Sequence, residues 1–224
     1  MTFRVVIPIF DDVTQLDFTG PAHVFAKVPG VELCIASKGT APVQTDSAFA
    51  IHAPYTFSQC PSADLICVPG GVGIMSAIQD PDFLDFIDRQ CRGAQYVTSV
   101  CTGLFALGAL GLVEGRKVTT HWGYEKVIGD CGGVYTKGRV VVDGNLITAG
   151  GVTSGIDFGL AVIAQVFGEE IARLIQLSSE YNPKPPFESG HPSVADEETV
   201  AQANPFYAEL AQRMREALKA ARRS

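Results

Sequence analysis

A cysteine at the junction of a predicted strand and a predicted helix is the residue of this sequence best placed to act as a nucleophile. The segment Tyr96–Gly103 reads YVTSVCTG, so that strand-forming residues run directly into Cys101. This is the pattern of a nucleophile elbow with Cys in place of Ser. Such a turn exposes its side chain at the carboxyl edge of the sheet, where open α/β folds bind ligands. We therefore predict that Cys101 is a catalytic nucleophile.

The predicted surroundings of Cys101 also favour an ionised sulfur. The N-terminus of the following helix attracts negative charge, and a thiolate there has a pKa of roughly 3.5–7.5, against about 8.5 for a free thiol. The alternative is a small buried hydrophobe. We keep that alternative for the other cysteines, which are Cys34, Cys60, Cys67, Cys91 and Cys131. Since none of the six forms a CxxC pair or has a His at zinc-finger spacing, we predict neither a disulfide framework nor a metal site.

Asp17 is the candidate proton donor and acceptor. It lies in the stretch QLDFTGP, just after the first predicted strand. A carboxyl group in an apolar setting loses hydration, which raises its pKa and lets it hold a proton and pass it on. An ordinary helix-capping Asp fits the sequence equally well.

Glycines after another predicted strand are candidates for stabilising negative charge. Gly70 and Gly71 follow the apolar run DLICV, and glycine lets backbone N–H groups approach a ligand closely. An oxyanion-hole role and a simple turn are both open. Thr102 directly follows Cys101, so its hydroxyl either contacts the site or has a purely structural role.

Two further segments are candidates for the same pocket. His121, in TTHW, either orients or deprotonates the thiol or is a hydrogen-bonded residue at a strand end. Val152 belongs to the segment Gly150–Ser154 (GGVTS), which either lines the pocket or caps the next helix.

The elements that must position these residues alternate between strand and helix. Predicted strands are Phe3–Phe10, Val31–Ser37, Asp64–Val68 and Gln95–Val100, and predicted helices include Thr19–Lys27, Pro81–Arg92, Thr102–Leu110 and Ser154–Phe167. Asp143-Gly144 is a hairpin signal between two further strands. This alternation predicts a doubly wound, mostly parallel sheet flanked by helices.

Composition and charge limit the class of protein. The chain has 224 residues, 46% of them hydrophobic, which suits one large α/β domain. We place this domain at residues 1–181, followed by an extended linker and a polar C-terminal helical tail over 182–224. The net charge of −7 disfavours nucleic acid and anionic membranes as partners. The N-terminal residues lack the form of a signal peptide, so we expect a cytoplasmic protein.

The motifs together resemble the PfpI/ThiJ superfamily, whose fold is a flavodoxin-like sandwich of the class I glutamine amidotransferase type. The resemblance runs from about residue 3 to 180. It is carried by QLDFTGP (15–21), DLICVPGG (64–71), VTSVCTG (97–103), LVEGRKVTTHW (112–122) and GGVTSGIDF (150–158).

Within this superfamily the chain most resembles the isocyanide hydratases. Isocyanide hydratases carry Asp at the position of Asp17, where many members of the superfamily carry Glu. The related proteases have a Cys-His pair where this chain has Cys101-Thr102. The stretch YNPKPPF (181–187) and the helical tail also resemble those of the hydratases. The resemblance implies a hydro-lyase that converts an isocyanide to an N-substituted formamide through a covalent thioimidate on Cys101. It implies no metal or organic cofactor, and a homodimer.

Two other functions are alternatives. One is glyoxalase-type or deglycase-type chemistry at the same thiol. The other is a non-enzymatic redox or ligand sensor, because AraC-type regulators with a PfpI/ThiJ-like domain share VCTG and TTHW. The roughly forty residues after Tyr181 read as one long helix, which leaves no place for a helix-turn-helix pair.

Overall fold

A seven-stranded sheet forms the centre of the protein, seen here in a computed structural model that describes residues 2–221. The described residues contain the following strands, of which seven form this sheet: β1 (Phe3–Pro8), β2 (Val31–Ser37), β3 (Val43–Gln44), β4 (Ala50–Ile51), β5 (Tyr55–Thr56), β6 (Leu65–Val68), β7 (Tyr96–Val100), β8 (Lys117–Val118), β9 (Val134–Tyr135), β10 (Val140–Asp143) and β11 (Leu146–Ala149). The central order is β10-β11-β7-β6-β1-β2-β5, and every neighbouring pair is parallel except β10–β11. The predicted doubly wound, mostly parallel sheet is therefore confirmed.

Helices cover both faces of this sheet. They are α1 (Gln15–Phe25), α2 (Ile74–Ala77), α3 (Pro81–Gly93), α4 (Leu104–Ala109), α5 (Ser154–Phe167), α6 (Glu169–Ser178) and α7 (Glu197–Ala221). One apolar core contains residues of α1, α5 and α6, and the other contains residues of α2, α3, α4 and α7. The strand β6 reads LICV and is buried at every residue, as expected for a parallel strand covered on both faces. No helix in the described part of the chain is long and apolar enough to cross a membrane.

The first helix begins earlier than the sequence predicted. We placed its start at Thr19 because Pro21 favours a first-turn position, but α1 begins at Gln15 and Pro21 lies inside it. The cause is packing against α5. A Cβ added to Gly155 would lie 2.9 Å from Pro21 Cδ, and one added to Gly159 would lie 2.3 Å from a Val24 methyl. This close contact between the helices outweighs the local preference of proline.

The C-terminal helix is part of the core. The sequence predicted a polar tail, yet Leu210, Ala211, Met214, Ala217 and Leu218 are buried and belong to the core that contains α3 and α4. These residues recur at helical spacing and form one apolar stripe on an otherwise charged helix. The helix therefore contributes to the stability of the whole fold.

Shortening Met214 should destabilise the protein strongly. Its side chain is fully buried, so Met214→Ala should lower the free energy of unfolding in urea by about 2–5 kcal/mol. The matched control is Leu174→Ala on α6, where the side chain is 67% exposed and the change should stay within about 0.5 kcal/mol. Equal effects of the two substitutions would show that α7 does not pack on the core.

Candidate active site

Cys101 has a strained backbone that its neighbours hold in place. It lies between β7 and α4 with φ of +56°, a left-handed conformation that costs a non-glycine residue about 1–2 kcal/mol. Its N–H donates to Gly150 O at 2.9 Å, and Thr120 Oγ1 donates to its carbonyl oxygen at 2.6 Å. Both polar groups of the Cys101 backbone are therefore fixed, which sets the direction of the side chain.

The glycine two residues after Cys101 is required by close contact with the neighbouring strand. A Cβ added to Gly103 would lie 2.1 Å from Val68 O, at the end of β6. The turn after β7 packs directly on the end of β6, and only glycine permits this approach.

The carboxyl group of Asp17 is buried beside the Cys101 thiol. Asp17 Oδ2 accepts a hydrogen bond from Gly70 N at 2.9 Å, whereas Oδ1 has no nitrogen or oxygen donor among residues 2–221. Burial raises the pKa of Asp17 to about 7, against the lowering effect of the Gly70 N–H and of the Cys101 thiol. Asp17 is therefore a group that gains and loses a proton near neutral pH. It lies in the first turn of α1 and does not cap that helix, which begins after Thr14.

The thiol of Cys101 differs from the prediction. We expected the helix N-terminus to lower its pKa, but burial and the Asp17 carboxylate raise that pKa well above its usual value. The backbone N–H groups of Thr102 and Val152 act on the sulfur in the opposite direction and do not outweigh these effects. The Asp17 carboxyl is therefore the group of this pair that loses its proton first as pH rises.

The glycine amides do not form the oxyanion hole that the sequence allowed. Gly70 N–H donates to Asp17, and Gly71 N–H donates to Thr102 Oγ1 at 3.0 Å, so both donors are already engaged. The Thr102 hydroxyl in turn donates to Gly71 O at 3.2 Å. Thr102 and the glycine loop thus hold each other and Asp17 in place, and the donors directed at the sulfur are the N–H groups of Thr102 and Val152.

His121 lies at the site as a neutral ring. Its Nδ1 accepts a hydrogen bond from Gly123 N at 3.1 Å, and burial lowers its pKa to about 4. The rings of Trp122 and Tyr207 lie 5.5 and 4.9 Å from it. The structure places no hydrogen bond between His121 and Cys101 among the described residues, so His121 lines the cavity and Asp17 is the titratable group beside the thiol.

A cavity of about 360 Å³ opens above the sulfur. Cys101, Thr102, Gly71, Val152 and His121 line its base and side, so the structure brings these predicted residues together around one space. Asp17 lies buried behind them. Further lining residues that the sequence did not indicate are Tyr124, Phe206, Tyr207 and Leu210. The signal for three of these was the apolar spacing in α7, which continues from Phe206 through Leu210 to Met214.

Adding a methyl group at Gly70 should strain the contacts of this residue with Thr102 and Asp17. A Cβ on Gly70 would lie 2.5 Å from Thr102 N and 2.9 Å from Asp17 Oδ2. We expect Gly70→Ala to lower the free energy of unfolding by about 1–3 kcal/mol. Gly93→Ala is the control, because a Cβ there meets nothing within 4 Å, and chemical denaturation of both variants provides the measurement. A Gly70→Ala protein as stable as the control would contradict the close packing described here.

Known proteins resemble this chain over most of its length. A model of the DJ-1/PfpI family matches residues 3–165. An isonitrile hydratase of Pseudomonas putida is 44% identical over 91% of this chain and 89% of its own length. The crystal structure of a ThiJ/PfpI family protein from Pseudomonas syringae, 34% identical, superposes with a TM-score of 0.94 over 97% of this chain and 91% of that one. Drosophila melanogaster DJ-1beta, 21% identical, has the same fold, with a TM-score of 0.70 over 80% of this chain and 98% of its own.

Proposed function

Because this chain belongs to the DJ-1/PfpI family, we propose that it is an isocyanide hydratase, a hydro-lyase that adds water to an isocyanide and releases an N-substituted formamide. Isonitrile is another word for isocyanide, and the similarity to the Pseudomonas putida enzyme supports the proposal. The observation that carries it is the buried pair of the Cys101 thiol and the Asp17 carboxyl beneath a cavity.

The first step forms a bond between sulfur and carbon. Asp17 accepts the thiol proton while Cys101 sulfur attacks the terminal carbon of the isocyanide. Asp17 then delivers that proton to the same carbon, which gives a thioimidate with an S–CH=N linkage. The N–H groups of Thr102 and Val152 stabilise the charge on sulfur while it lacks its proton.

The second step adds water to the thioimidate carbon. Asp17, again a carboxylate, accepts one proton from water as the oxygen bonds to carbon, and this proton passes to the nitrogen. The resulting tetrahedral carbon carries S, OH, H and NH–R. Its hydroxyl proton passes through Asp17 to the departing sulfur, the C–S bond breaks, and the formamide leaves with the thiol restored.

The remaining residues of the site position this pair. In this proposal Thr102 holds the Gly70–Gly71 loop, that loop holds Asp17, and His121 provides a neutral wall. The chemistry of the proposed cycle needs no redox cofactor, because no group changes oxidation state overall. We also propose, as the resemblance implies, a cytoplasmic homodimer.

A paired assay separates this function from its alternatives. The purified protein should convert a simple aryl or alkyl isocyanide to the formamide, with only a trace of lactate from methylglyoxal. Lactate as the main product would favour a glyoxalase. No turnover of either substrate, together with a partner that binds only the protein oxidised at Cys101, would favour a sensor.

A further inference from the structure

The C-terminal helix contributes an aromatic ring to the proposed reaction cavity. Tyr207 of α7 lies 4.4 Å from the Trp122 ring, 4.9 Å from His121 and 6.4 Å from Tyr124. The family model ends at residue 165 and contains the Cys101–Asp17 pair but not this helix. Three residues that line the cavity, Phe206, Tyr207 and Leu210, therefore come from an element that lies outside the family model.

The position of Tyr207 is tightly fixed. A Cβ added to Gly123 would lie 2.5 Å from Tyr207 Cδ1 and 3.0 Å from its Cβ, so glycine is what allows the ring to pack there. The helix is anchored below this point by Leu210 and Met214, which are buried in the core. A ring held in this way presents its hydroxyl in one direction.

Tyr207 lines the same cavity as Cys101, and its hydroxyl has no hydrogen-bond partner among residues 2–221. Burial raises the pKa of both Tyr207 and Tyr124, and the Cys101 sulfur raises it further, so both side chains lie within electrostatic range of the sulfur. Neither hydroxyl forms a hydrogen bond with a residue of the described chain. Other tyrosine hydroxyls do: Tyr135 donates to Glu125 and Tyr181 donates to Asp157. An unpaired donor on the wall of the cavity that contains the thiol is available to a reactant.

We infer that the Tyr207 hydroxyl donates a hydrogen bond to the nitrogen of the reactant bound on Cys101, and that α7 thereby supplies a catalytic residue for the hydration step. This inference rests on the proposed function. An isocyanide attached to the sulfur through its carbon places its nitrogen and substituent in the cavity that Tyr207 and Phe206 also line.

The chemistry of the thioimidate explains why a donor is needed there. When water bonds to the C=N carbon, the electron pair of the C=N π bond moves to nitrogen, which must then accept a proton. A donor already placed at nitrogen stabilises that developing charge. Tyr207 keeps its own proton throughout, since the proton that ends on nitrogen comes from the water through Asp17. The hydroxyl should therefore accelerate hydration of the adduct more than its formation.

The test removes the hydroxyl alone. Tyr207→Phe keeps the ring and its packing, so the free energy of unfolding should not change. We expect kcat for formamide formation to fall about 10-fold to 100-fold. KM should fall in parallel, so that kcat/KM, which reports formation of the adduct, changes little. The adduct, seen by intact mass as the enzyme plus one isocyanide, should accumulate in the steady state above its wild-type level. Tyr96→Phe, the same change at the far end of β7, should behave as wild type.

Three results would overturn the inference. If wild type turns over isocyanides and Tyr207→Phe has the same kcat and adduct level, Tyr207 does not assist hydration. If only KM rises, the hydroxyl binds the substrate without helping the chemistry. If wild type itself makes no formamide, the hydratase proposal fails and this inference fails with it, so the two failures are distinguishable.

Discussion

Replacing Cys101 with alanine should reduce formamide formation by roughly 10³-fold or more, because covalent catalysis ends when its nucleophile is removed. The variant should remain folded, since the backbone of residue 101 is held by Gly150 and Thr120 rather than by its own side chain. Turnover measured by chromatography of the formamide, with circular dichroism as the check on folding, provides the test.

The matched control is Cys91→Ala. Cys91 is also a free thiol, but it lies on α3, and burial raises its pKa to about 12 without placing it in the cavity above Cys101. This variant should retain wild-type turnover. If Cys101→Ala retained full activity as well, the covalent mechanism would be wrong, and equal losses in both variants would mean that the effect is structural.

Asp17→Asn should lower kcat/KM by about 10²-fold to 10⁴-fold, because the amide cannot accept the thiol proton or return it to carbon. The wild-type kcat/KM should rise with pH through about 7, the pKa at which Asp17 becomes the carboxylate that acts as base. This rising limb of the pH profile of kcat/KM should be absent from Asp17→Asn. Retention of the same limb in Asp17→Asn would assign it to another group.

The pH dependence of the unfolding free energy provides an independent measurement of the pKa of Asp17. It has the opposite sign to the activity, because kcat/KM should rise with pH whereas the stability should fall. In the folded protein Asp17 holds its proton up to about pH 7, whereas its ordinary pKa of 3.8 lets the unfolded chain release it much earlier. The native state therefore binds more protons between these values, and its stability falls as pH rises. The difference in unfolding free energy, wild type minus Asp17→Asn, should decrease by roughly 3 kcal/mol between pH 4 and pH 7. A difference that does not vary with pH would contradict the raised pKa.

The position of Cys101 at the turn between a strand and a helix could be predicted because its causes are local. An apolar strand running into Cys101, followed by Gly103 at the point of contact with β6, is visible in eight residues of sequence. The Asp143-Gly144 hairpin was predictable for the same reason, and Gly144 has the positive φ of 61° that this turn requires. Such features depend on residues that are neighbours in the chain.

The features that were mispredicted depend on partners far away in sequence. Burial raises the pKa of Cys101 most, and Asp17 from another element raises it further, and strand and helix patterns report neither effect. The amides of Gly70 and Gly71 are occupied by side chains from α1 and from the turn after β7. Likewise α7 carries many charges, and its apolar stripe can be interpreted only when the core that contains residues of α3 and α4 is known.

The most direct test of the account is the intact mass of the wild-type protein during a single turnover with a small isocyanide, quenched at successive times. We predict a transient species heavier than the enzyme by the mass of one isocyanide, located on the peptide that contains Cys101, with a decay that matches the appearance of the formamide. Formamide released at the full rate with no such species, or with the added mass on another residue, would contradict the covalent mechanism at Cys101.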